Sequence, residues 1–471
     1  MQRKKGNLKL ENILVEDYAA EGKSLARSEG KVIFVENAIP GDVVDIQLTR
    51  NKKDWAEGYI TAFHSYSADR VIPFCKHFGI CGGCQWQTLP YAKQLLYKQK
   101  QVEDNLKRIA KVSLPPVLPI LGADQTTCYR NKIEYTFSNR KYLTREELHN
   151  PSISSRQDAA GFHARGIFDK VVDIDICFLQ AEPTNRLRQA IKKWTLDHSL
   201  PFYDISLHQG WIRTMQVRLC TTGELMVNIV FGYEDENIRL LLDKLLRDFP
   251  EISTLLYTIN PKRNDSIHDL HPKVYFGKGY VTEKLEDFLF KIGPKSFFQT
   301  NSRQAEKLYR VTRDFADLTG KEIVYDLYCG TGSIGIFISK QAGKVIGVEL
   351  IAEAIADARE NAALNDLAHA QFFTGDVTTV CDDSFFAVHG QPDVVITDPP
   401  RAGMTEKLVR KLLDIRAPRL VYVSCNPATQ ARDLAVLDEK YAVTRIQPTD
   451  MFPHTHHIEN VVQLTLREGK S

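Results

Sequence analysis

The residue with the clearest chemical potential is a cysteine at the end of an apolar strand. Residues 420–427 read Leu-Val-Tyr-Val-Ser-Cys-Asn-Pro, which predicts a buried strand that stops at an Asn-Pro turn and delivers Cys425 to a loop. A thiolate is a strong nucleophile, so Cys425 is the candidate for covalent catalysis. Free cysteine is also a common core residue, so this interpretation depends on the side chains that accompany it.

A glycine-rich turn after another predicted strand indicates a nucleotide-type cofactor. Its G-x-G-x-x-G pattern consists of Gly330, Gly332 and Gly335. Glu349 ends the next strand, where an acid suits the ribose of any adenosine, so a dinucleotide fold is a competing interpretation. Asp326 favours S-adenosylmethionine over a nicotinamide, because an acid just before the turn would crowd a pyrophosphate but could hold a cationic methionine group. Asp376, at the end of the following strand, is placed to meet an adenine amine.

The Asp-Pro-Pro-Arg corner at residues 398–401 bears on which atom would be methylated. Methyltransferases that act on exocyclic amines place an aromatic residue after this corner, and here Arg401 follows, which counts against N-methylation. Carbon 5 of uracil is too weak a nucleophile to be methylated unaided, whereas a thiolate adding to carbon 6 makes an enolate that can attack. This scheme needs Cys425 and a base for the carbon-5 proton. Glu459, in a turn before the last strand, is the candidate base.

A separate group of thiols lies near the amino terminus: Cys75, Cys81 and Cys84. Glycines between them let the backbone wrap closely around a metal centre, so the spacing predicts metal ligation with a fourth ligand elsewhere. Zinc is the alternative, although zinc normally takes a second close pair and none follows.

The elements that must position these residues divide the chain into three predicted domains. Residues 293–471 alternate strands with helices, which predicts an α/β, Rossmann-like sheet. Residues 69–292 mix both elements in an α+β pattern and hold the cysteines, while the short strands of residues 1–68 predict an OB-like barrel. A helix predicted over 91–112 carries lysines, Lys98 among them, on an exposed face that is either solvated or in contact with phosphates.

Composition narrows the class of protein without naming a partner. Lys and Arg number 61 against 59 Asp and Glu, so any basic surface must be local. No apolar run reaches transmembrane length and the start of the chain is polar, so we expect a cytoplasmic protein with no membrane association. Nine cysteines in a reducing compartment favour metal or catalytic use over disulfides.

Motifs along the whole chain resemble the RNA 5-methyluridine (uracil-5-) methyltransferase family. They are the segments 297–301, 326–332, 398–401, 424–427 and 456–459. Segments 21–27 and 38–42 resemble the TRAM domain, an RNA-binding module. With the barrel and the cysteine group, the likeness is closest to the bacterial 23S ribosomal RNA (uracil-5-)-methyltransferases, since the simpler tRNA enzymes of this kind lack both.

The resemblance implies a function for individual residues. Cys425 would be the nucleophile and Glu459 the base. S-adenosylmethionine would be bound at Gln299, Tyr328, Ser333, Glu349, Asp376 and Asp398. Cys177, which follows a strand, would complete a [4Fe-4S] site with the three clustered cysteines. Ser333 replaces the asparagine that is common in the family, so that contact stays open.

The expected substrate is an exposed uridine in a loop of 23S rRNA, because recognition of a single base needs it unstacked, and the expected enzyme is a monomer. Three alternatives stay open. They are methylation of a tRNA T-loop uridine, methylation of carbon 5 of cytosine, and a non-enzymatic RNA-binding factor with a relic cofactor fold.

Overall fold

Five strands near the amino terminus of the computed structural model close into a barrel, in the order β1-β2-β3-β5-β4. They are β1 (Lys9–Tyr18), β2 (Ser24–Ser28), β3 (Lys31–Val35), β4 (Val43–Asn51) and β5 (Trp55–Ser65). Alternate side chains such as Ile33 and Val35 fill its core, so the predicted OB-like barrel is confirmed. The structure describes residues 8–19, 22–150, 152–154 and 156–468. The polar start of the chain, Glu21 of the barrel segment and the last residues of the predicted third domain therefore lie outside the described residues.

A second sheet has seven strands in the order β12-β11-β10-β9-β6-β7-β8. They are β6 (Lys132–Ser138), β7 (Ala159–His163), β8 (Val171–Asp173), β9 (Ile212–Leu219), β10 (Leu225–Phe231), β11 (Ile252–Ile259) and β12 (Lys273–Phe276). The helices of this part are α1 (Tyr91–Asn105), α2 (Arg145–Leu148), α3 (Thr184–Asp197) and α4 (Glu236–Asp248). Leu187 of α3 and Leu241 of α4 pack into the core of the sheet, and α4 connects the parallel strands β10 and β11. The α+β pattern predicted for this region is observed.

The carboxyl-terminal sheet has seven strands in the order β17-β16-β15-β18-β19-β21-β20, and its first five strands are parallel. After the hairpin β13 (Val281–Leu285) and β14 (Phe288–Ile292), the strands are β15 (Ile323–Leu327), β16 (Lys344–Glu349), β17 (Ala370–Thr374), β18 (Val394–Thr397), β19 (Arg419–Ser424), β20 (Tyr441–Thr449) and β21 (Glu459–Leu466). The helices are α5 (Ser302–Ala316), α6 (Ser333–Ile338), α7 (Ala352–Leu364), α8 (Val377–Val380), α9 (Asp383–His389), α10 (Glu406–Ile415) and α11 (Pro427–Leu437).

This sheet is buried on both faces, as a parallel sheet must be. On β15, Val324 belongs to one core cluster and its neighbour Tyr325 to another. The hairpin β13-β14 packs Phe288 and Phe290 into the same cluster as Val324. The Rossmann-like α/β prediction is confirmed.

Helix α1 packs against the carboxyl-terminal sheet region, since Val102 of α1 and Leu106 directly after it share a core with Leu434 of α11. Placing Lys98 on an exposed face was wrong. Its side chain is fully buried, with Nζ 2.6 Å from a carboxylate oxygen of Asp450 and 3.1 Å from the carbonyl oxygen of Phe452. The turn that follows β20 supplies both acceptors, and periodicity along α1 cannot reveal a partner 352 residues away.

Among the described residues, no helix combines the length and the apolar character that crossing a bilayer requires.

Candidate active site

The candidate site lies at the carboxyl edge of the carboxyl-terminal sheet. Strands β15, β18 and β19 are parallel, so their last residues meet at this edge. Strand β21 runs antiparallel to β19, and Ser424 pairs with Asn460. Cys425 and Glu459 each lie one residue beyond that pair, so the register places them opposite each other. The candidate nucleophile and base are therefore neighbours, although 34 positions separate them in the sequence.

The turn between β15 and α6 is shaped by its glycines. Gly332 has a left-handed backbone with φ of 78°, and an added Cβ would lie 2.9 Å from the ring of Phe372. At Gly335 an added Cβ would lie 3.0 Å from a carboxylate oxygen of Asp326. The backbone N–H of Gly335 instead donates to that oxygen at 2.8 Å. Only glycine allows α6 to approach Asp326 this closely.

Asp326 is buried with an incomplete set of hydrogen bonds. Its side chain belongs to a residue that is 1% exposed, and its Oδ1 has no hydrogen-bond partner among the described residues. Burial, together with the charges of Asp398 and Glu349, raises the pKa of Asp326 to about 7 despite the hydrogen bond from Gly335. A buried acid with a free oxygen suits a cationic ligand group such as an ammonium.

Two further acids line the same edge on the far side of the glycine turn. Glu349, at the end of β16, accepts from the N–H of Gly330 at 3.3 Å and from the N–H of Ile351 at 3.0 Å. Asp376 is exposed just after β17, and the hydrogen bonds from Thr378 lower the pKa of its carboxyl. Tyr328, with φ of 62°, directly follows β15, and burial, followed by the charges of Asp376 and Glu349, raises the pKa of its half-buried phenol.

Helix α5 and the segment before it carry an unpredicted tyrosine and Gln299. Gln299 is partly exposed in the segment before α5, and its carbonyl accepts from the side chain of Asn131 at 2.9 Å. Tyr309, on α5, is 2% exposed, and its hydroxyl is 2.9 Å from the hydroxyl of Ser333. Sequence reasoning missed Tyr309, because an aromatic residue in a helix is ordinarily a core residue.

Burial and neighbouring charges shift the pKa values of the candidate nucleophile, the candidate base and Asp398. Burial, followed by the charges of Glu459 and Asp398, raises the pKa of the half-buried Cys425 thiol to about 11, and Arg401 opposes this shift. Burial raises the pKa of Asp398 to about 7. Burial and the charge of Asp398 raise the pKa of Glu459 well above its ordinary value, again opposed by Arg401. Two acids that disfavour each other's ionisation beside a thiol are typical of a proton-transfer site.

Arg401, whose charge acts on both Cys425 and Glu459, is hydrogen-bonded to a histidine. Its guanidinium donates to Nδ1 of His457 at 2.7 Å. Burial and the neighbouring charges lower the pKa of His457 to about 3, so the imidazole is neutral and can accept. Helix α1 holds the loop that carries His457. The side chain of Gln94 accepts a hydrogen bond from the N–H of His454 at 2.9 Å.

The cysteines predicted as metal ligands line one cavity of about 30 Å³: Cys75, Cys81, Cys84 and Cys177. Burial raises the pKa of Cys81 to about 11 and that of Cys84 to about 12, and the other thiols contribute to both shifts. Within the described residues, however, no three His, Cys, Asp or Glu side chains are arranged as a metal site. The structure brings the four thiols to one place without assembling them as ligands.

The fold and the glycine-turn site define a class I S-adenosylmethionine-dependent methyltransferase. Residues 268–467 match the model of the tRNA (uracil-5-)-methyltransferase family, and residues 9–61 match the TRAM domain. An uncharacterised RNA methyltransferase of Bacteroides thetaiotaomicron is 51% identical over 453 residues, which cover 95% of this chain and 100% of that protein. The chain therefore belongs to the RNA uracil-5-methyltransferase family.

A more distant relative and a solved structure also match nearly the whole chain. An uncharacterised RNA methyltransferase of Chlorobaculum tepidum is 38% identical, with 95% of both chains covered. The crystal structure of Pyrococcus abyssi tRNA (uracil-54, C5)-methyltransferase in complex with S-adenosyl-L-homocysteine matches with a TM-score of 0.74 and 28% identity, covering 96% of this chain and 99% of that one. The similarity thus extends over barrel, central sheet and cofactor domain.

Proposed function

We propose that this protein methylates carbon 5 of a specific uridine in 23S rRNA. The observation that carries the proposal is the pairing register of β19 and β21, which sets Cys425 opposite Glu459 beside Asp398. A nucleophile, a base and a second acid at the end of a cofactor-binding sheet are what carbon-5 methylation of uracil requires.

The reaction would proceed through a covalent bond to Cys425. The thiol gives its proton to water, and Sγ adds to carbon 6 of a flipped-out uracil, so that the electron pair of the carbon 5–carbon 6 double bond moves to carbon 5 and the carbonyl oxygen at carbon 4. Carbon 5 then takes the methyl group, while the bond between that methyl group and the sulfonium sulfur breaks and S-adenosylhomocysteine leaves. Glu459 removes the carbon-5 proton, and the electron pair left behind expels the thiolate from carbon 6. Arg401 assists both steps, because it favours the thiolate and the ionised form of Glu459.

S-adenosylmethionine, when bound, supplies the electrophilic methyl group. The residues proposed to bind it are Gln299, Asp326, Tyr328, Gly330, Gly332, Ser333, Glu349, Asp376 and Asp398. Asp326 fits the methionine ammonium, since its Oδ1 is buried and has no partner among the described side chains and backbone. Glu349 keeps lone pairs for ribose hydroxyls, since each of its carboxylate oxygens accepts one backbone N–H.

The four cysteines that share a cavity would hold a structural [4Fe-4S] cluster: Cys75, Cys81, Cys84 and Cys177. The chemistry of the donors supports a cluster, because all four are thiols and Phe74, Phe78 and Phe162 line the same cavity, but the thiols would have to move into ligand positions on binding. Metal binding would deprotonate the thiols and hold the loop at 75–84 against the central sheet.

The chain would act as a monomer of three domains: 1–68, 69–292 and 293–471. The barrel supports an RNA substrate, since residues 9–61 match a TRAM domain. The substrate would be a loop uridine, because a single base must be unstacked before a thiol can reach carbon 6. 23S rRNA is proposed because the combination of barrel and cysteine group resembles the bacterial 23S rRNA enzymes.

The test uses tritiated S-adenosylmethionine with unmodified transcripts of 23S rRNA and of tRNA, followed by nuclease digestion and identification of the labelled nucleoside. We expect 5-methyluridine from rRNA alone. A protein with Cys425→Ala should give none, while Cys128→Ala, which removes an exposed thiol outside the site, should be unaffected. Labelled 5-methylcytidine, or no label from any RNA, would contradict the proposal.

One observation favours a second substrate. A solved structure that matches nearly the whole chain is that of a tRNA (uracil-54, C5)-methyltransferase. Methylation of uridine 54 in tRNA by the same chemistry is therefore the second candidate, and label confined to tRNA in the experiment above would select it.

A further inference from the structure

The hydroxyl pair of Tyr309 and Ser333 lies inside the proposed cofactor site. Tyr309 is almost fully buried on α5, where its ring packs edge-on against Phe337 with centroids 5.6 Å apart. Its hydroxyl reaches Ser333 Oγ at 2.9 Å. Ser333 is partly buried and is the first residue of α6, directly after Gly332 of the cofactor turn. A buried phenol normally has a hydrogen-bond partner, and here that partner is Ser333 in the proposed cofactor site.

The two tyrosines of the site lie at different parts of the glycine turn. Tyr328 directly follows β15, whereas the Tyr309 hydroxyl meets the first residue of α6. Two residues further along α6, the N–H of Gly335 donates to Asp326, the acid suited to the methionine ammonium, so the Tyr309 hydroxyl lies at the helix that contacts this acid. The acids whose charges act on Tyr309 are Asp398, Asp326 and Glu459. Burial and these charges raise the pKa of Tyr309, so its hydroxyl stays protonated and can donate.

We propose that Tyr309 is a positioning residue that holds the Ser333 hydroxyl toward the methionine portion of S-adenosylmethionine. Ser333 can rotate its hydroxyl freely unless a neighbour fixes it, and Tyr309 is the neighbour at hydrogen-bond distance. With that hydroxyl fixed on one side and Asp326 on the other, the amino-acid end of the cofactor would be held in line with Cys425. The inference rests on the proposed cofactor site and not on the identity of the RNA.

The test measures cofactor binding to the full-length protein by calorimetry, without RNA. Two probes are compared. S-adenosylhomocysteine contains the amino-acid end, and 5′-methylthioadenosine lacks it. Tyr309→Phe removes only the hydroxyl, and we expect it to raise the Kd for S-adenosylhomocysteine about 3- to 10-fold, as expected for one hydrogen bond. The Kd for 5′-methylthioadenosine should not change.

Ser333→Ala removes the same hydrogen bond without touching the core, so it tests the proposal even if Tyr309→Phe fails to fold. It should also raise the Kd for S-adenosylhomocysteine without changing that for 5′-methylthioadenosine. The double variant should bind S-adenosylhomocysteine no more weakly than the weaker-binding single variant. Tyr441→Phe is the matched control, because Tyr441 is fully buried and its hydroxyl donates to the carbonyl of Ala417 at 3.0 Å, in the core beside α10. It should leave both Kd values unchanged.

Three results would overturn the proposal. Unchanged binding of S-adenosylhomocysteine in both single variants would show that the pair does not serve the cofactor. Equally weakened binding of both probes would show that the pair supports general packing and not the amino-acid end of the cofactor. Additive losses of binding free energy in the double variant would show that the two hydroxyls act independently. Because no RNA is present, a wrong assignment of the methylated nucleoside would not alter these outcomes.

Discussion

Replacing Asp326 by asparagine should stabilise the folded protein and weaken cofactor binding at the same time. The buried carboxyl has a pKa of about 7 instead of the ordinary 3.8. Above pH 7 the folded chain must therefore keep an ionised carboxylate at a cost on the order of 4 kcal/mol relative to the unfolded chain. Asparagine has nearly the same shape and can still accept the hydrogen bond from Gly335, but it carries no charge to desolvate.

The sign of the pH dependence follows from the raised pKa. Below pH 3.8 the carboxyl is protonated in both states, so there is no penalty. The penalty grows as the pH rises toward 7 and is complete above it. The stabilisation by Asp326→Asn should thus be on the order of 4 kcal/mol at pH 8 and should fall below about 2 kcal/mol at pH 5.

Native-state hydrogen exchange of peptides from β15 and α6 measures this local free energy without assuming that the whole chain unfolds at once. Asp414→Asn, which changes an exposed acid on α10, is the control and should have no effect at either pH. The Kd for S-adenosylmethionine should rise about 10- to 100-fold in Asp326→Asn, because a charge-assisted hydrogen bond is lost. An asparagine variant that is no more stable at pH 8, or equally stabilised at both pH values, would refute the reasoning.

Three further predictions concern the reacting groups and the cysteines. Arg401→Gln should raise the pKa of the Cys425 thiol above its value of about 11, so alkylation of the peptide containing Cys425, followed by mass spectrometry, should need a higher pH than in the unchanged protein; identical pH profiles would contradict the role of Arg401. Glu459→Gln should transfer the methyl group but retain the carbon-5 proton, so a protein–RNA adduct should persist on a denaturing gel, and normal release of methylated RNA would exclude Glu459 as the base. Cys177→Ser should lose iron after anaerobic reconstitution while Cys128→Ser keeps it, and equal iron in both would remove Cys177 from the cluster.

The fold was predictable from local patterns. The alternation of buried strands and helices after residue 293 identified the Rossmann-like sheet, and short strands at regular spacing identified the barrel. Lys98 was not predictable, because its burial depends on Asp450 and on the carbonyl of Phe452, which the fold brings together from the other end of the chain. A lysine on an amphipathic helix is ordinarily solvated, and the sequence contains no signal of the exception.

The candidate site was predictable to the extent that its residues end strands. Glu349 ends one parallel strand and Cys425 directly follows another, and such strand ends meet at one edge of a sheet. Tyr309 could not be found this way, because it lies in the middle of α5, at no strand end, and meets the site only through its hydroxyl contact with Ser333. The one available signal was the serine at 333, since a residue that departs from its family's usual type invites a search for a compensating neighbour.

Covalent trapping tests the central claim most directly. An rRNA fragment that carries 5-fluorouridine allows attack by Cys425 and methyl transfer, but fluorine cannot leave carbon 5 as a proton does, so the adduct should persist. We predict a stable protein–RNA adduct that requires S-adenosylmethionine, maps to Cys425 by mass spectrometry and disappears in Cys425→Ala. An adduct at another residue, or methylation of the ordinary fragment by Cys425→Ala protein, would contradict the account.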